Sequence, residues 1–206
     1  KRTVEGLNGR YFGEDGEPIR RRIAREDFGT NPCSEIILRS REFCNLSECV
    51  VRRDDTREHL KEKVRVATIL GTFQSTLTEF KYLSREWKRN CEEERLLGVS
   101  LTGIMDNPLT NGSKKGLDKL LEELRDVAYE TNKEWAEKLG IPPSAAITCV
   151  KPSGTVSQLV DSASGIHARH NPYYIRTVRA DNKDPLCKFM KEKGFPNEPD
   201  VTKPKH

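Results

Sequence analysis

The chain has 206 residues, of which 33% are Asp, Glu, Lys or Arg; counting glycine and leaving out tyrosine, its apolar share is about 38%, against roughly 45–50% in globular domains. Its longest apolar runs, such as Ile36 to Leu38 and Ala145 to Ile147, fall far short of the roughly 20 residues of a membrane span, and the first thirteen residues hold no signal-peptide stretch. The net charge of +4 comes from interspersed charges, 36 basic and 32 acidic, which argues against a nucleic-acid footprint. Six cysteines, at 33, 44, 49, 91, 149 and 187, without a CxxC pair or regular spacing, fit a reducing cytoplasm. The low apolar share leads us to expect that an element is missing or that a partner supplies it.

Residues 1–30 are rich in glycine and charge, with periods of neither 2 nor 3.6, and read as a connecting loop region. Their triplet Arg20-Arg21-Arg22 reads as a solvated face, with a phosphate-binding patch as the alternative. From residue 31 to 206 the pattern is that of one further domain. The run Leu46 to Val51 precedes Asp54-Asp55-Thr56, and Asp55 with Glu58 three positions on predicts a capping box opening a helix. That helix would bury Leu60, Val64, Ala67, Leu70, Leu77, Phe80 and Leu83.

Leu96 to Met105 reads as a buried strand and its exit, after which Asn107-Pro108 and Asn111-Gly112 break the chain. A second long helix carries Leu117, Leu120, Leu121, Leu124, Val127, Ala128, Trp135 and Leu139, with Gly140 at C′ before Pro142-Pro143. Ala145 to Val150 is a third strand candidate and Tyr174 to Val178 a fourth. Strands separated by long amphipathic helices predict an α/β fold on a parallel sheet, open or closed into a barrel.

Three constellations could carry chemistry. In Asn31-Pro32-Cys33-Ser34-Glu35 an amide, a thiol and a carboxylate stand two residues apart, so an extended chain would point all three one way. A structural cysteine in a turn beside a surface Glu is the other reading, and Cys44 is 11 residues further on. Lys151-Pro152-Ser153-Gly154-Thr155-Val156-Ser157 follows a strand and offers backbone N–H groups and hydroxyls to an anion, without the Walker pattern. Plain turn chemistry explains it equally well. His167 and His170, with Cys149, have no fourth ligand at zinc-site spacing, so no metal is assigned.

Taken in order, NPCSEIILRSREFCNLSE, LLGVSLTGIMD, AITCVKPSGTVSQL and SGIHARHNPYYIRTVR resemble adenosylcobalamin-dependent (class II) ribonucleotide reductases, in particular the monomeric enzymes acting on ribonucleoside triphosphates. The resemblance covers roughly residues 25–195. It implies that residues 31–206 are the C-terminal portion of a ten-stranded α/β barrel with a central finger loop. It also implies roles: Cys33 as the thiyl radical that abstracts the substrate 3′-hydrogen, Glu35 as acceptor of the 3′-hydroxyl proton, and Asn31 as hydrogen-bond partner of the sugar hydroxyls. Cys44 would supply reducing equivalents by forming a disulfide with a cysteine of an earlier strand.

Pro152, Ser153, Gly154, Thr155, Val156 and Ser157 would cradle the substrate phosphates. The implied cofactor is adenosylcobalamin, and the implied partners are a ribonucleoside triphosphate, a thioredoxin-type reductant and the remaining N-terminal part of the reductase, with no nucleic acid and no membrane. The 11-residue gap between Cys33 and Cys44 favours this family over the large subunits of diiron or dimanganese reductases. A non-catalytic nucleotide-binding fragment that needs an N-terminal half is the other alternative.

Overall fold

The computed structural model describes residue 22 and residues 26–202. The rest of the 1–30 region, including Arg20 and Arg21, lies outside the described residues. The chain forms two compact units that divide between Arg169 and His170.

The first unit begins with a hairpin that the loop reading of residues 1–30 did not foresee. Strand β1 (Phe28–Thr30) pairs antiparallel with β2 (Ile37–Arg39), Thr30 standing opposite Ile37 and Phe28 opposite Arg39. Two three-residue strands are marginal by themselves. This hairpin is held instead by charges at its base.

A second sheet carries the core. Strand β3 (Asn45–Val50) runs parallel to β4 (Leu97–Thr102), with Leu46 opposite Gly98 and Val50 opposite Thr102. The expected third strand reduces to one parallel bridge, Val99 to Thr148, in which Val99 N–H donates to the Ile147 carbonyl and Cys149 N–H to that of Val99. Parallel neighbours need helical crossovers. Helices α1 (Arg57–Gln74) and α2 (Arg85–Glu94) connect β3 to β4, and α3 (Leu117–Lys138) connects β4 to the Thr148 segment.

Alternation along the strands gives this sheet two faces. Leu97, Val99 and Cys49 meet Leu60, Val64 and Ala67 of α1 and Leu120, Leu124 and Ala128 of α3, with Ile147 closing the cluster. Leu60, Leu97 and Leu120 are at most 1% exposed, and each such side chain contributes about 1.5–3 kcal/mol by leaving water. Leu46, Gly98, Ser100 and Thr102 alternate to the opposite face.

Helix α1 differs from its predicted form at both ends. Its capping box is Thr56 with His59: the Thr56 hydroxyl accepts from His59 N–H, and the ring of His59 accepts from Thr56 N–H. Asp55 is withdrawn because its carboxylate already accepts from Arg52 N–H at 2.7 Å and binds Lys63 Nζ. The helix ends at Gln74, so Leu77, Phe80 and Leu83 leave its buried stripe. Hydroxyls drive that stop, with Ser75 donating to the Thr72 carbonyl and Thr76 to that of Phe73, taking acceptors that a continuing helix would use.

The short helix α4 (Thr155–Leu159) completes the first unit. In the second unit, Tyr174 to Val178 is not a strand, because no neighbouring strand among the described residues pairs with it. A helix unforeseen from the sequence follows, α5 (Pro185–Glu192), capped by the Asp184 carboxylate, which accepts from Leu186 and Cys187 N–H. No described helix is long and apolar enough to cross a membrane.

Candidate active site

The segment joining β1 to β2 is a turn, not an extended run. Pro32 suits the second position of a β-turn and Asn31 the first. Ser34 N–H donates to the Asn31 carbonyl at 2.9 Å, and the Asn31 side-chain oxygen accepts from Ile36 N–H at 3.0 Å. Ser34 takes the left-handed conformation at φ 62°, which rotates the chain between its neighbours. Cys33 is therefore exposed at the apex, while the Glu35 side chain turns inward and is only 4% exposed. The alternation that put amide, thiol and carboxylate on one side fails at that residue.

Glu35 faces Lys151, whose Nζ stands 3.5 Å from Oε1. Desolvation alone would raise the carboxyl pKa. The Asn31 amide and the Lys151 ammonium outweigh it and hold the group below its ordinary value, so Glu35 is ionised at neutral pH.

The base of the hairpin is fixed by a buried charge network. Arg22 Nη2 lies 2.8 Å from Glu94 and 3.5 Å from Glu42, and Arg39 lies 3.3 Å from Glu94, 3.5 Å from Glu42 and 3.0 Å from Glu93. The side chains of Glu42 and Glu94 are fully buried. Arg22 is thus no part of a solvated face: its guanidinium also donates to the Ile37 carbonyl and lies over the Phe28 ring. Burial, then repulsion from Glu94, raises Glu42 to about 8, so two guanidinium ions share the buried site with Glu94 and the half-exposed Glu93. Such networks carry large desolvation costs and fix geometry only when every charge finds a partner.

Cys44 lies one residue before β3. Gly98, opposite Leu46, is the residue that makes room here: a Cβ on it would lie 2.4 Å from Leu46 Cδ2, 3.2 Å from Cys149 Sγ and 3.3 Å from Cys44 Sγ. Burial pushes Cys44 up to about 12 and Cys149 up to about 11, so both are thiols at neutral pH. Glu35 lies close enough to both sulfurs to add to these shifts.

Lys151 opens the segment Pro152 to Ser157. Ser153 and Ser157 are buried, and Gly154, Thr155 and Val156 are exposed. Ser157 donates its hydroxyl to the Gly154 carbonyl at 2.9 Å, and the Ser164 hydroxyl donates to that of Ser153. Ser153 Oγ is buried with no hydrogen-bond partner among the described residues. Gly165, at φ 53°, lets the following loop approach this segment, since a Cβ there would lie 3.1 Å from the Lys151 carbonyl.

At the other end of the sheet, Arg169 binds Asp106 and Asp161 at 3.0 and 2.7 Å. His167 meets the Ser164 carbonyl through Nδ1 at 3.3 Å. Among the described residues no three His, Cys, Asp or Glu side chains form a group that could hold a metal ion.

The structure thus brings Glu35, Lys151, Cys44 and Cys149 together, and places the Ser153 segment next to them along the chain. Sequence reasoning missed Arg22, Arg39, Glu42 and Glu94 as a unit, because partners 72 residues apart leave no local pattern. It also missed Gly98, whose role depends on what faces it.

No family model matches the chain. Curated relatives do. The adenosylcobalamin-dependent ribonucleoside-triphosphate reductase of Lactobacillus acidophilus is 30% identical over 198 residues, covering 84% of this chain and 26% of that protein. The reductase of the same name from Euglena gracilis is 32% identical over 171 residues, covering 83% and 23%. Among solved structures, a B12-dependent (class II) ribonucleotide reductase superimposes with a TM-score of 0.63 at 27% identity, over 84% of this chain and 27% of that one. The chain spans about a quarter of the length of the proteins it matches. Over that span, the resemblance carried by the four sequence motifs is borne out.

Proposed function

We propose that this chain is the C-terminal part of the catalytic barrel, residues 31–206, of an adenosylcobalamin-dependent ribonucleoside-triphosphate reductase, and that it acts with the remaining N-terminal part of that enzyme in a reducing cytoplasm. The β1–β2 hairpin would be the finger loop, and β3, β4 and the Thr148 segment consecutive parallel strands of the ten-stranded barrel. The observation that carries this reading is Glu35, a carboxylate turned inward, held below its ordinary pKa by the Asn31 amide and by Lys151, and set close to two partly buried thiols.

Each residue then has a chemical task. Cys33, exposed at the hairpin apex, presents its sulfur to a group approaching from outside the loop, which suits a cofactor that acts on that atom. When bound, adenosylcobalamin supplies the radical chemistry that turns the Cys33 thiol into a thiyl radical. Cys33 abstracts the 3′-hydrogen of the ribose. Glu35 accepts the 3′-hydroxyl proton, which eases loss of the 2′-hydroxyl as water; an ionised carboxylate is the state this step requires.

Asn31, whose oxygen is already engaged by Ile36 N–H, has its amide NH2 for the sugar hydroxyls and Glu35. Cys44, kept as a thiol by burial, and a cysteine of an earlier strand in the N-terminal part together give up two hydrogens, one to C2′ and one to the departing water, and end as a disulfide that a thioredoxin-type reductant reopens. The exposed Gly154, Thr155 and Val156, with Pro152 and the unpartnered hydroxyl of Ser153, suit the substrate phosphates, and Ser157 braces the segment.

The test uses the complete reductase that contains this sequence. With adenosylcobalamin, a ribonucleoside triphosphate and a dithiol, it should form the deoxynucleotide without an added metal subunit. Cys33→Ser should abolish product while leaving the far-ultraviolet circular dichroism unchanged. Retained turnover in that variant would overturn the assignment.

A further inference from the structure

We infer that Cys149 is a redox partner for Cys44 within this chain, the two thiols closing across Gly98 into a disulfide. The inference is independent of the reductase reading, and the resemblance to reductases assigns Cys149 no role.

The geometry is that of three adjacent chain segments. Cys44 enters β3, Gly98 lies in β4, and Cys149 follows the bridge on the far edge of β4. Both sulfurs approach one point, the place where a Gly98 side chain would begin, at 3.3 Å and 3.2 Å. They are therefore no farther apart than those two distances laid end to end, with the end of the Leu46 side chain, 2.4 Å from the same point, as their shared neighbour. Any residue but glycine at 98 would put a carbon there, and even alanine would drive its methyl into Leu46. A disulfide needs the sulfurs at about 2.05 Å, which calls for rotation of both cysteine side chains toward each other beside Gly98, with the Leu46 methyl giving way.

The other cysteines are placed differently. Cys49 packs in the core on the opposite face, Cys91 accepts a hydrogen bond from Phe43 N–H, and Cys33 is exposed at the hairpin apex. The surroundings of the pair are also mixed in charge: Glu35 and Glu42 raise the thiols, and Lys151 and Arg22 lower them. Burial is the largest cause at both sulfurs and keeps both as thiols at neutral pH, so the exchange should quicken as pH rises and more thiolate forms.

The step balances as two exchanges with a small-molecule disulfide. One protein thiolate attacks a sulfur of that disulfide, breaking its S–S bond and releasing one small thiol. The second protein thiolate then attacks the mixed disulfide, forming the Cys44–Cys149 bond and releasing the second small thiol. The two protein protons end on the two released thiols, and the protein is oxidised by two electrons as the small disulfide is reduced.

The test takes the folded 206-residue chain, treats it with oxidised glutathione until Cys33 has reacted completely, and maps disulfides by non-reducing peptide mass spectrometry. The expected result is a peptide pair joining Cys44 to Cys149, absent from Cys149→Ser and retained in Cys91→Ser. A bridge from Cys44 to Cys33, or glutathione adducts without the Cys44–Cys149 link, would overturn the inference. Phenylarsine oxide, which bridges two close thiols, gives a second readout that does not depend on disulfide geometry. It should add once to the protein with Cys33 and Cys187 blocked, and not to that protein carrying Cys149→Ser; equal addition to both would also overturn it.

Discussion

The two loops that frame the candidate site are held in opposite ways. The hairpin loop, Asn31 to Ile36, stands on two very short strands and is anchored at its base by Arg22, Arg39, Glu42 and Glu94, charges almost wholly withdrawn from water. The segment Pro152 to Ser157 is anchored by neutral hydrogen bonds, chiefly from the hydroxyls of Ser157 and Ser164 to its own carbonyls. A buried charge network is rigid while every member is paired and costly once one is lost, whereas a neutral hydrogen bond is worth about 1 kcal/mol either way. The placement of the hairpin should therefore depend on charge and pH, and that of the Ser153 segment should not.

The largest expected effect breaks the first anchor. Glu94→Ala leaves Arg22 and Arg39 short of a carboxylate in a site closed to water, and should cost about 3–5 kcal/mol in urea unfolding. A loss under 1 kcal/mol would show that the network is solvated and the contrast false.

Next in size is the pH dependence of the same anchor. Glu42 rises from 4.5 to about 8 on folding, so the folded state holds its proton more tightly than the unfolded one. Its contribution to stability is complete below about pH 4.5, declines as pH rises, and is lost through pH 8. Glu42→Gln should flatten that decline between pH 5 and 8 in thermal melts, and an unchanged slope would remove Glu42 as its source.

The smallest effect sharpens the other half of the comparison. Ser157→Ala removes one buried hydroxyl that donates to the Gly154 and Ser153 carbonyls, and should cost about 1 kcal/mol with no change in pH slope. A pH-dependent loss in this variant would join the two loops into one electrostatic unit.

The difference between the loops also explains what could be read beforehand. The Asn31-Pro32 pair writes a turn locally, and the leucine stripe of α3 writes its helix, ended by Gly140 at φ 65°. Helix α1 was legible in its middle, where Leu60, Val64 and Ala67 recur at helical spacing. Its ends were not, because Asp55 and Thr56 compete for the cap and the tertiary partners of Asp55 decided between them.

By itself the sequence determined an α/β chain with parallel strands, the identity and order of the motif residues, and through them the kinship with class II reductases. These depend on local period, turn chemistry and motif spacing, which are properties of neighbours along the chain. Only the tertiary structure decided that Arg22 is buried, that Cys33 and Glu35 part company at Ser34, and that Cys44 and Cys149 meet over Gly98. Each of these is settled by the burial and backbone geometry that folding imposes, by groups far apart in sequence sharing one desolvated space or by one residue held in a left-handed turn, and no local pattern records it.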